Sequence, residues 1–283
     1  METTIACIIA RTNSTRLERK VLKKIQNKHM IEHIIERVKL CSYVDKIYLC
    51  TSSHEDDEVL LEIADRNGIC SYAGSEESVI DRMLDVAKIE NASNLIRITG
   101  DNIFTDSVYI DIMIENHKKK MVDYTRTEHL PIGVTAEIIS TKALIDCISK
   151  MDSSFSQYLM LYMFQPVNYK CLVIVPPEMQ QKPKWSLTVD TELDWERTRS
   201  IFGNTNGFLC YHDIIEAGNK LDDDMIMVKV QENIKWPGGV LLSIDAMMHE
   251  MRKRTEQSLK IQIDLDYYNE VLNEQQSRFQ NNS

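Results

Sequence analysis

The chain has 283 residues, of which 43% are hydrophobic and 27% are charged, and this composition excludes collagen-like and wholly disordered proteins. Its 33 basic and 43 acidic residues give a net charge of −10. We therefore expect no nucleic-acid partner, because binding to nucleic-acid phosphates normally needs a basic surface. Seven scattered cysteines without C-x-x-C spacing argue against a disulfide framework and a closed zinc site.

Short apolar runs alternate with amphipathic helical patterns along most of the chain. Strands are predicted at residues 4–10, 46–51, 69–72, 94–99, 136–140 and 170–176. Helices are predicted where Ile31, Ile34, Ile35 and Val38 recur at helical spacing, and at residues 58–67, 78–87, 108–120, 142–151 and 191–202. This alternation predicts an α/β fold, with a Rossmann-like, mixed and mostly parallel sheet flanked by helices.

The C-terminal part of the chain has a weaker pattern. We predict a main domain of residues 1–232 and a small C-terminal appendage of residues 233–283, whose role is left open. Within the appendage, residues 240–254 predict an amphipathic helix and residues 261–272 a strand or a helix. The polar residues 274–283 predict a frayed end.

The apolar runs are short. None reaches the roughly 18 residues that a membrane-spanning helix needs. No basic region precedes the apolar run in the opening METTIACIIA, so a secretory leader is not indicated. We expect a cytoplasmic protein that does not contact the membrane.

A basic, hydroxyl-rich loop follows the first predicted strand. Residues 10–20 contain four cations and three hydroxyl groups. They are Arg11, Arg16, Arg19 and Lys20, with Thr12, Ser14 and Thr15. Guanidinium groups bind phosphate oxygens through paired hydrogen bonds, and hydroxyl groups fill the remaining acceptors. The loop is therefore predicted to bind a polyphosphate, with a merely solvated basic loop as the alternative.

The usual phosphate-binding motifs are missing after the first strand. There is no G-x-x-x-x-G-K-[ST] run and no G-x-G-x-x-G run. A P-loop nucleoside triphosphatase and a standard dinucleotide dehydrogenase are therefore disfavoured.

The basic loop resembles the opening of the CTP-using sugar nucleotidyltransferases. The match runs from Ile8 to Lys20, and the similar proteins are the spore-coat polysaccharide cytidylyltransferases and the related Kdo and acylneuraminate cytidylyltransferases. Three further segments match in the same order, namely residues 74–82, residues 97–101 and residues 189–191. The resemblance extends to about Asn233.

The chain departs from the family pattern at three places. Asn13 stands where the family usually has a small residue, and Glu18 and Arg19 replace a Pro-Gly pair. The family's Glu-His-Val-Thr element is represented only by residues 156–159, which read Ser-Gln-Tyr-Leu. The last departure concerns the acceptor substrate more than the nucleotide.

The resemblance implies a fold of the nucleotide-diphospho-sugar transferase type and a CTP-dependent reaction. An acceptor oxygen would attack the α-phosphorus of CTP and release pyrophosphate, a reaction that depends on positioning and charge neutralisation. The acceptor would be a sugar, a sugar acid or a small phosphorylated compound used in surface glycan synthesis. The family also suggests a homodimer.

The resemblance also assigns roles to individual residues. Arg11, Lys20 and Asp101 would be catalytic, and Asp101 and Asp190 would bind Mg²⁺, which prefers hard oxygen ligands. Pro131, Gly133 and Glu137 would face the acceptor, although turn chemistry explains the Pro and the Gly equally well. The nucleotide would contact Ala10, Arg11, Ser14, Thr15, Arg16, Lys20, Ser75, Arg82 and Asp101.

Some alternatives remain open at this point. Thr51 and Ser52 could edge the base pocket or cap the following helix. A metal-dependent glycosyltransferase would also place acidic residues at a strand end of an α/β sheet, but it would consume a nucleotide sugar. A catalytically silent relative would bind the nucleotide without releasing pyrophosphate.

Overall fold

The computed structural model describes residues 2–151, 159–205, 210–228, 233–235 and 240–281. Within these residues, eight strands form one sheet. They are β1 (Thr4–Ile9), β4 (Lys46–Ser52), β5 (Cys70–Gly74), β6 (Asn94–Thr99), β7 (Tyr124–Thr127), β8 (Glu137–Ser140), β9 (Cys171–Val175) and β12 (Leu259–Gln262). Two small hairpins complete the strands: β2 (Lys24–Ile25) with β3 (Lys28–His29), and β10 (Asn233–Lys235) with β11 (Leu241–Ser243).

The sheet is mixed and mostly parallel, as the sequence predicts. Its strand order is β12-β9-β7-β8-β6-β1-β4-β5. Among these described strands only β8 is antiparallel to its neighbours, β6 and β7. The carboxyl ends of the other seven strands therefore meet at one edge, which we call the carboxyl edge, and β8 begins there.

Helices cover both faces of the sheet. They are α1 (Met30–Val38), α2 (Glu58–Arg66), α3 (Val79–Glu90), α4 (Ser107–Lys120), α5 (Thr141–Ile148), α6 (Leu159–Met163), α7 (Glu192–Gly203), α8 (Tyr211–Gly218), α9 (Asp223–Ile226), α10 (Ile244–Gln257) and α11 (Leu265–Asn281). Ala6 and Ile8 face the core beneath α1, α2, α4, α7, α8 and α11, whereas Ile5 and Cys7 face the core beneath α3, α5 and α6. The central strand β1 is buried on both faces for this reason.

The segment that precedes Asp190 lies outside the main sheet. Residues 185–189 are extended but are not a strand of the main sheet, and they pair only through isolated bridges. Leu187 N donates to Ile132 O at 2.6 Å, and Val189 N donates to Asp101 O at 3.0 Å. The segment therefore runs across the loops at the carboxyl edge and brings Asp190 next to Asp101.

The C-terminal segment joins the main sheet. Strand β12 pairs in parallel with β9. The predicted frayed end is wrong as far as Asn281, because α11 packs on α4 and buries the polar side chain of Gln275. Gln275 accepts from Ser107 Oγ at 2.7 Å and donates to Asp111 Oδ2 at 2.7 Å. None of the described helices has the length and apolarity needed to cross a membrane.

Arg254 fastens helix α10 to helix α6. Its buried guanidinium donates from Nη1 to Leu161 O at 2.8 Å and to Phe164 O at 3.0 Å. We expect Arg254→Met to lower the free energy of unfolding by roughly 2–4 kcal/mol, because two buried carbonyls lose a charged donor. Urea unfolding measures this loss. Arg252→Met, an exposed site on the same helix, is the control, and an equal effect at both positions would contradict the prediction.

Glu32 makes the stability of the folded protein depend on pH. Burial raises the pKa of its carboxyl, but hydrogen bonds from His29, Asn67 and Arg66 lower it more, to about 2. A depressed carboxyl pKa adds stability above the ordinary pKa, and this stability is lost as the pH falls toward 2. We expect Glu32→Gln to reduce the loss of stability between about pH 5 and pH 3. Thermal unfolding across that range tests this, with the exposed Glu62→Gln as a control that should keep the wild-type slope.

Candidate functional site

Lys20, Asp101 and Asp190 meet at the carboxyl edge. Lys20 Nζ lies 3.4 Å from Asp101 Oδ2 and 2.9 Å from Asp190 Oδ1, and it donates to Val189 O at 2.8 Å. Arg16 Nη2 also lies 2.9 Å from Asp190 Oδ1. Two carboxylates and two cations from three distant parts of the chain thus form one polar junction, which we call the Lys20 junction.

Gly100 allows the basic loop and Asp101 to lie close together. Its N–H donates to Ile9 O at 2.7 Å, and a Cβ at this position would lie only 2.9 Å from Ala10 Cβ. Only glycine therefore fits between the ends of β1 and β6. Thr99 Oγ1 then donates to Asp101 Oδ1 at 2.5 Å and orients the carboxylate.

Asp190 is held by the first turn of α7. Its N–H donates to Asp194 Oδ2 at 3.0 Å, while Thr191 and Asp194 form a reciprocal capping box at the start of that helix. The sequence predicts a helix over residues 191–202, and the structure has this helix at Glu192–Gly203 with Thr191 as its N-cap. The cap leaves the Asp190 side chain directed toward Lys20 and Arg16.

Asp57 anchors the basic loop, and sequence reasoning missed it. Its Oδ1 accepts from both Thr12 N and Thr12 Oγ1 at 2.7 Å, and its Oδ2 accepts from Ser52 Oγ at 2.5 Å. Burial raises the pKa of the Asp57 carboxyl, but the hydrogen bonds from Ser52 and Thr12 outweigh burial, so the pKa lies below its ordinary value. Ser52 is buried and ties the end of β4 to the turn before α2, so its side chain has a structural partner.

Arg11 and Arg82 are two neighbouring cations at the basic loop. Arg11 is exposed and donates to Glu76 O at 3.0 Å, whereas Arg82 is buried and its Nη1 donates to Cys50 O at 3.5 Å. Burial lowers the pKa of Arg82, and the Arg11 charge lowers it further. Arg82 Nε has no hydrogen-bond partner among the described residues. An anion is the group that would satisfy both guanidinium groups.

The other predicted nucleotide residues differ in exposure. Ala10 is buried and its N–H donates to Cys50 O at 3.1 Å, whereas Thr15 is exposed and Ser14 is half-buried. Ser75 is exposed, and its hydroxyl accepts from Ser78 N at 3.1 Å at the start of α3. Ser14 and Thr15 therefore lie near the surface above the strand end, whereas the N–H of Ala10 is already paired.

The predicted acceptor residues do not form one surface. Pro131 and Gly133 are buried. Gly133 has φ +99°, and a Cβ there would lie 2.5 Å from Thr188 N, so close backbone packing explains this glycine. Glu137 lies at the carboxyl edge but accepts from Arg97 Nη1 at 2.5 Å and from Tyr124 OH.

The donor set of the Lys20 junction fits a hard divalent cation that arrives with further oxygen ligands. Asp101 and Asp190 supply carboxylate oxygens from two separate loops, and both are about a quarter exposed. Across the described part of the chain, no cluster of three or more His, Cys, Asp or Glu residues could hold a metal alone. Mg²⁺ takes about six oxygen ligands and commonly binds through one or two carboxylates plus substrate phosphates.

The sequence profile of the cytidylyltransferase family matches residues 5–191, which include the basic loop, Asp101 and Asp190. The chain belongs to the cytidylyltransferase family. Membership confirms the predicted family and the predicted enzyme class, a nucleotidyltransferase. The match ends just after Asp190, so the C-terminal strand and the last helices lie outside it.

Individual relatives of this cytidylyltransferase agree with the family match. The spore coat polysaccharide biosynthesis protein SpsF of Bacillus subtilis is 31% identical over 202 residues, which are 69% of this chain and 84% of SpsF. A solved cytidylyltransferase structure from Leptospira borgpetersenii superposes with a TM-score of 0.73 at 23% identity and covers 82% of this chain and 99% of that chain. The structure of CMP:2-keto-3-deoxy-manno-octonic acid synthetase complexed with CTP superposes with a TM-score of 0.55 at 15% identity. The superposition covers 71% of this chain and 99% of that chain. These two structures share the fold.

Proposed function

We propose that this cytidylyltransferase transfers the CMP unit of CTP to an oxygen of a small acceptor and releases pyrophosphate, with Mg²⁺ as its metal. The observation that carries the proposal is the Lys20 junction, in which Asp101, Asp190, Lys20 and Arg16 converge at the carboxyl edge. Nucleotidyl transfer needs charge neutralisation and in-line positioning more than covalent catalysis, and this junction supplies groups for both.

The cations of the basic loop are assigned to the triphosphate. Arg11 and the buried Arg82 would bind phosphate oxygens, which explains why Arg82 Nε lacks a hydrogen-bond partner among the described residues. Lys20 and Arg16 would neutralise the phosphate at which the bond forms. Ala10, Ser14, Thr15 and Ser75 would contribute main-chain and hydroxyl groups around the nucleotide.

The two carboxylates are assigned to the metal. Asp101 and Asp190 would hold Mg²⁺, which when bound supplies charge stabilisation at the phosphate under attack. Thr99 and the α7 cap keep both carboxylates oriented in its absence.

The strand order suggests where the two substrates lie. The basic loop follows β1, and the ends of β4 and β5 lie beside it, so the nucleotide is assigned to this half of the carboxyl edge. The acceptor is then assigned to the other half, above β6, β8 and β7. Glu137 lies there with Arg97, and it remains the strongest of the three predicted acceptor residues because Pro131 and Gly133 are buried.

The acceptor is proposed to be a sugar, a sugar acid or a small phosphorylated compound for surface glycan synthesis. The kinship with SpsF supports a polysaccharide role. The altered family element at residues 156–159 lies outside the described residues except for Leu159, so it does not narrow the acceptor further. The homodimer that the family suggests stays a prediction, which sedimentation equilibrium would test.

Pyrophosphate release tests the proposal directly. The full chain is incubated with Mg²⁺, each of the four nucleoside triphosphates, and a panel of sugars, sugar acids and phosphorylated acceptors. We expect release from CTP that depends on one class of acceptor. Calorimetric CTP binding with no release from any acceptor would favour the silent relative instead. Absence of CTP binding would overturn the assignment of the basic loop.

A further inference from the structure

We propose that Lys20 occupies the position of the divalent cation in the nucleotide-free protein, so that the cation binds tightly only together with the triphosphate. The inference rests on the proposed function for the identity of the triphosphate, but its central test uses the protein without nucleotide. The inference describes the protein before CTP and the cation bind.

All three donors of the Lys20 ammonium are directed at the junction. They contact Asp101 Oδ2, Asp190 Oδ1 and Val189 O, and the Lys20 side chain is only 14% exposed. An ammonium group has three hydrogen-bond donors, so this arrangement satisfies it completely. Asp190 Oδ1 also forms an ion pair with Arg16 Nη2, and its negative charge is therefore shared between two cations.

The backbone holds Lys20 at this place. Lys20 N donates to Leu17 O at 3.2 Å, and the buried side chains of Leu17 and Val21 fix the turn on either side of it. Arg19 has φ 47°, a left-handed conformation that reverses the chain just before Lys20. This packed turn therefore holds the Lys20 ammonium in the Lys20 junction.

A metal and the ammonium would compete for the same oxygens. Asp101 and Asp190 would hold the metal through carboxylate oxygens that Lys20 Nζ contacts, at 3.4 Å and 2.9 Å respectively. Two cations at the same oxygens repel each other, and the two carboxylates alone leave most of the ligand positions of the metal to other groups. A triphosphate changes both conditions, because it gives Lys20 a new anionic partner and gives the metal phosphate oxygens.

The test measures Mn²⁺ binding to the full chain by electron paramagnetic resonance. Without nucleotide, we expect weak binding by the wild type and binding at least roughly tenfold tighter by Lys20→Met, equivalent to about 1.4 kcal/mol. Lys20→Gln, which keeps a hydrogen-bond donor without the charge, should behave in the same way. Lys23→Met is the matched control, because Lys23 pairs with Glu192 outside the junction, and it should leave binding unchanged.

Two further arms separate this inference from the proposed function. Adding Asp101→Asn to Lys20→Met should remove the gained Mn²⁺ affinity, which locates the gain at the junction. Adding CTP to the wild type should tighten Mn²⁺ binding. If CTP has no effect while Lys20→Met still gains affinity, the choice of CTP as the triphosphate fails, whereas the placement of Lys20 at the cation site stands. If neither Lys20 variant binds Mn²⁺ more tightly than the wild type without nucleotide, the inference is overturned.

Discussion

Replacing Asp101 with asparagine is expected to lower kcat for pyrophosphate release by roughly 10²- to 10³-fold, the loss typical of removing one preorganised group that stabilises transition-state charge. The substitution keeps the size of the side chain and removes one of the two carboxylates proposed to hold Mg²⁺. Initial rates at saturating CTP and Mg²⁺ give the measurement, and the melting temperature checks that the variant stays folded.

A carboxylate outside the Lys20 junction provides the control. Asp223→Asn neutralises an exposed carboxylate at the start of α9 and should leave kcat unchanged. Asp190→Asn should resemble Asp101→Asn, and the double variant should lose much less than the product of the two single effects, because both carboxylates serve one metal. Near-normal turnover of folded Asp101→Asn would rule out the assignment of Asp101 to the metal.

Asp57→Ala is expected to have the second largest effect, a loss of roughly 3 kcal/mol in the free energy of unfolding. The buried carboxylate accepts hydrogen bonds from Thr12 and Ser52, and removing it leaves the buried Thr12 N–H without its acceptor. Because the pKa of Asp57 is depressed in the folded protein, its stabilisation is present at neutral pH and fades as the pH falls below the ordinary carboxyl range.

The same change should weaken nucleotide binding. Thr12 lies between Arg11 and the hydroxyl-rich part of the basic loop, and losing its anchor allows the loop more conformations before CTP binds. Denaturant unfolding and CTP calorimetry together make the measurement. Asp56→Asn, at an exposed neighbouring carboxylate, is the control. Unchanged unfolding and unchanged CTP binding in Asp57→Ala would contradict the anchoring role.

Local sequence patterns predicted the parts of the fold that depend on local interactions. The apolar spacing of α1 is an example, since Ile31, Ile34, Ile35 and Val38 are all buried in that helix. Asp101 was likewise singled out by the short segment of residues 97–101 that resembles the family. Each of these signals lies within a few residues of the feature it predicts.

Long-range contacts could not be predicted in the same way. Asp57 lies 45 residues from Thr12 and gives no sign of burial in its acidic surroundings. Strand β7 reads Tyr-Thr-Arg-Thr, which is too short and too polar to stand out, and Gln275 becomes buried only because α4 offers it polar partners. The contact of Lys20 with Asp190 spans 170 residues, and only the folded sheet brings the two together.

The position of β12 has a consequence for how the chain can be shortened. The run Cys-Leu-Val-Ile-Val of β9 is almost entirely buried, and β12 covers its outer side. A chain cut after the family region would leave this apolar strand as an open edge with unpaired main-chain groups, a template for pairing between molecules and for aggregation. By covering the apolar edge of β9, the last strand therefore opposes strand pairing between molecules.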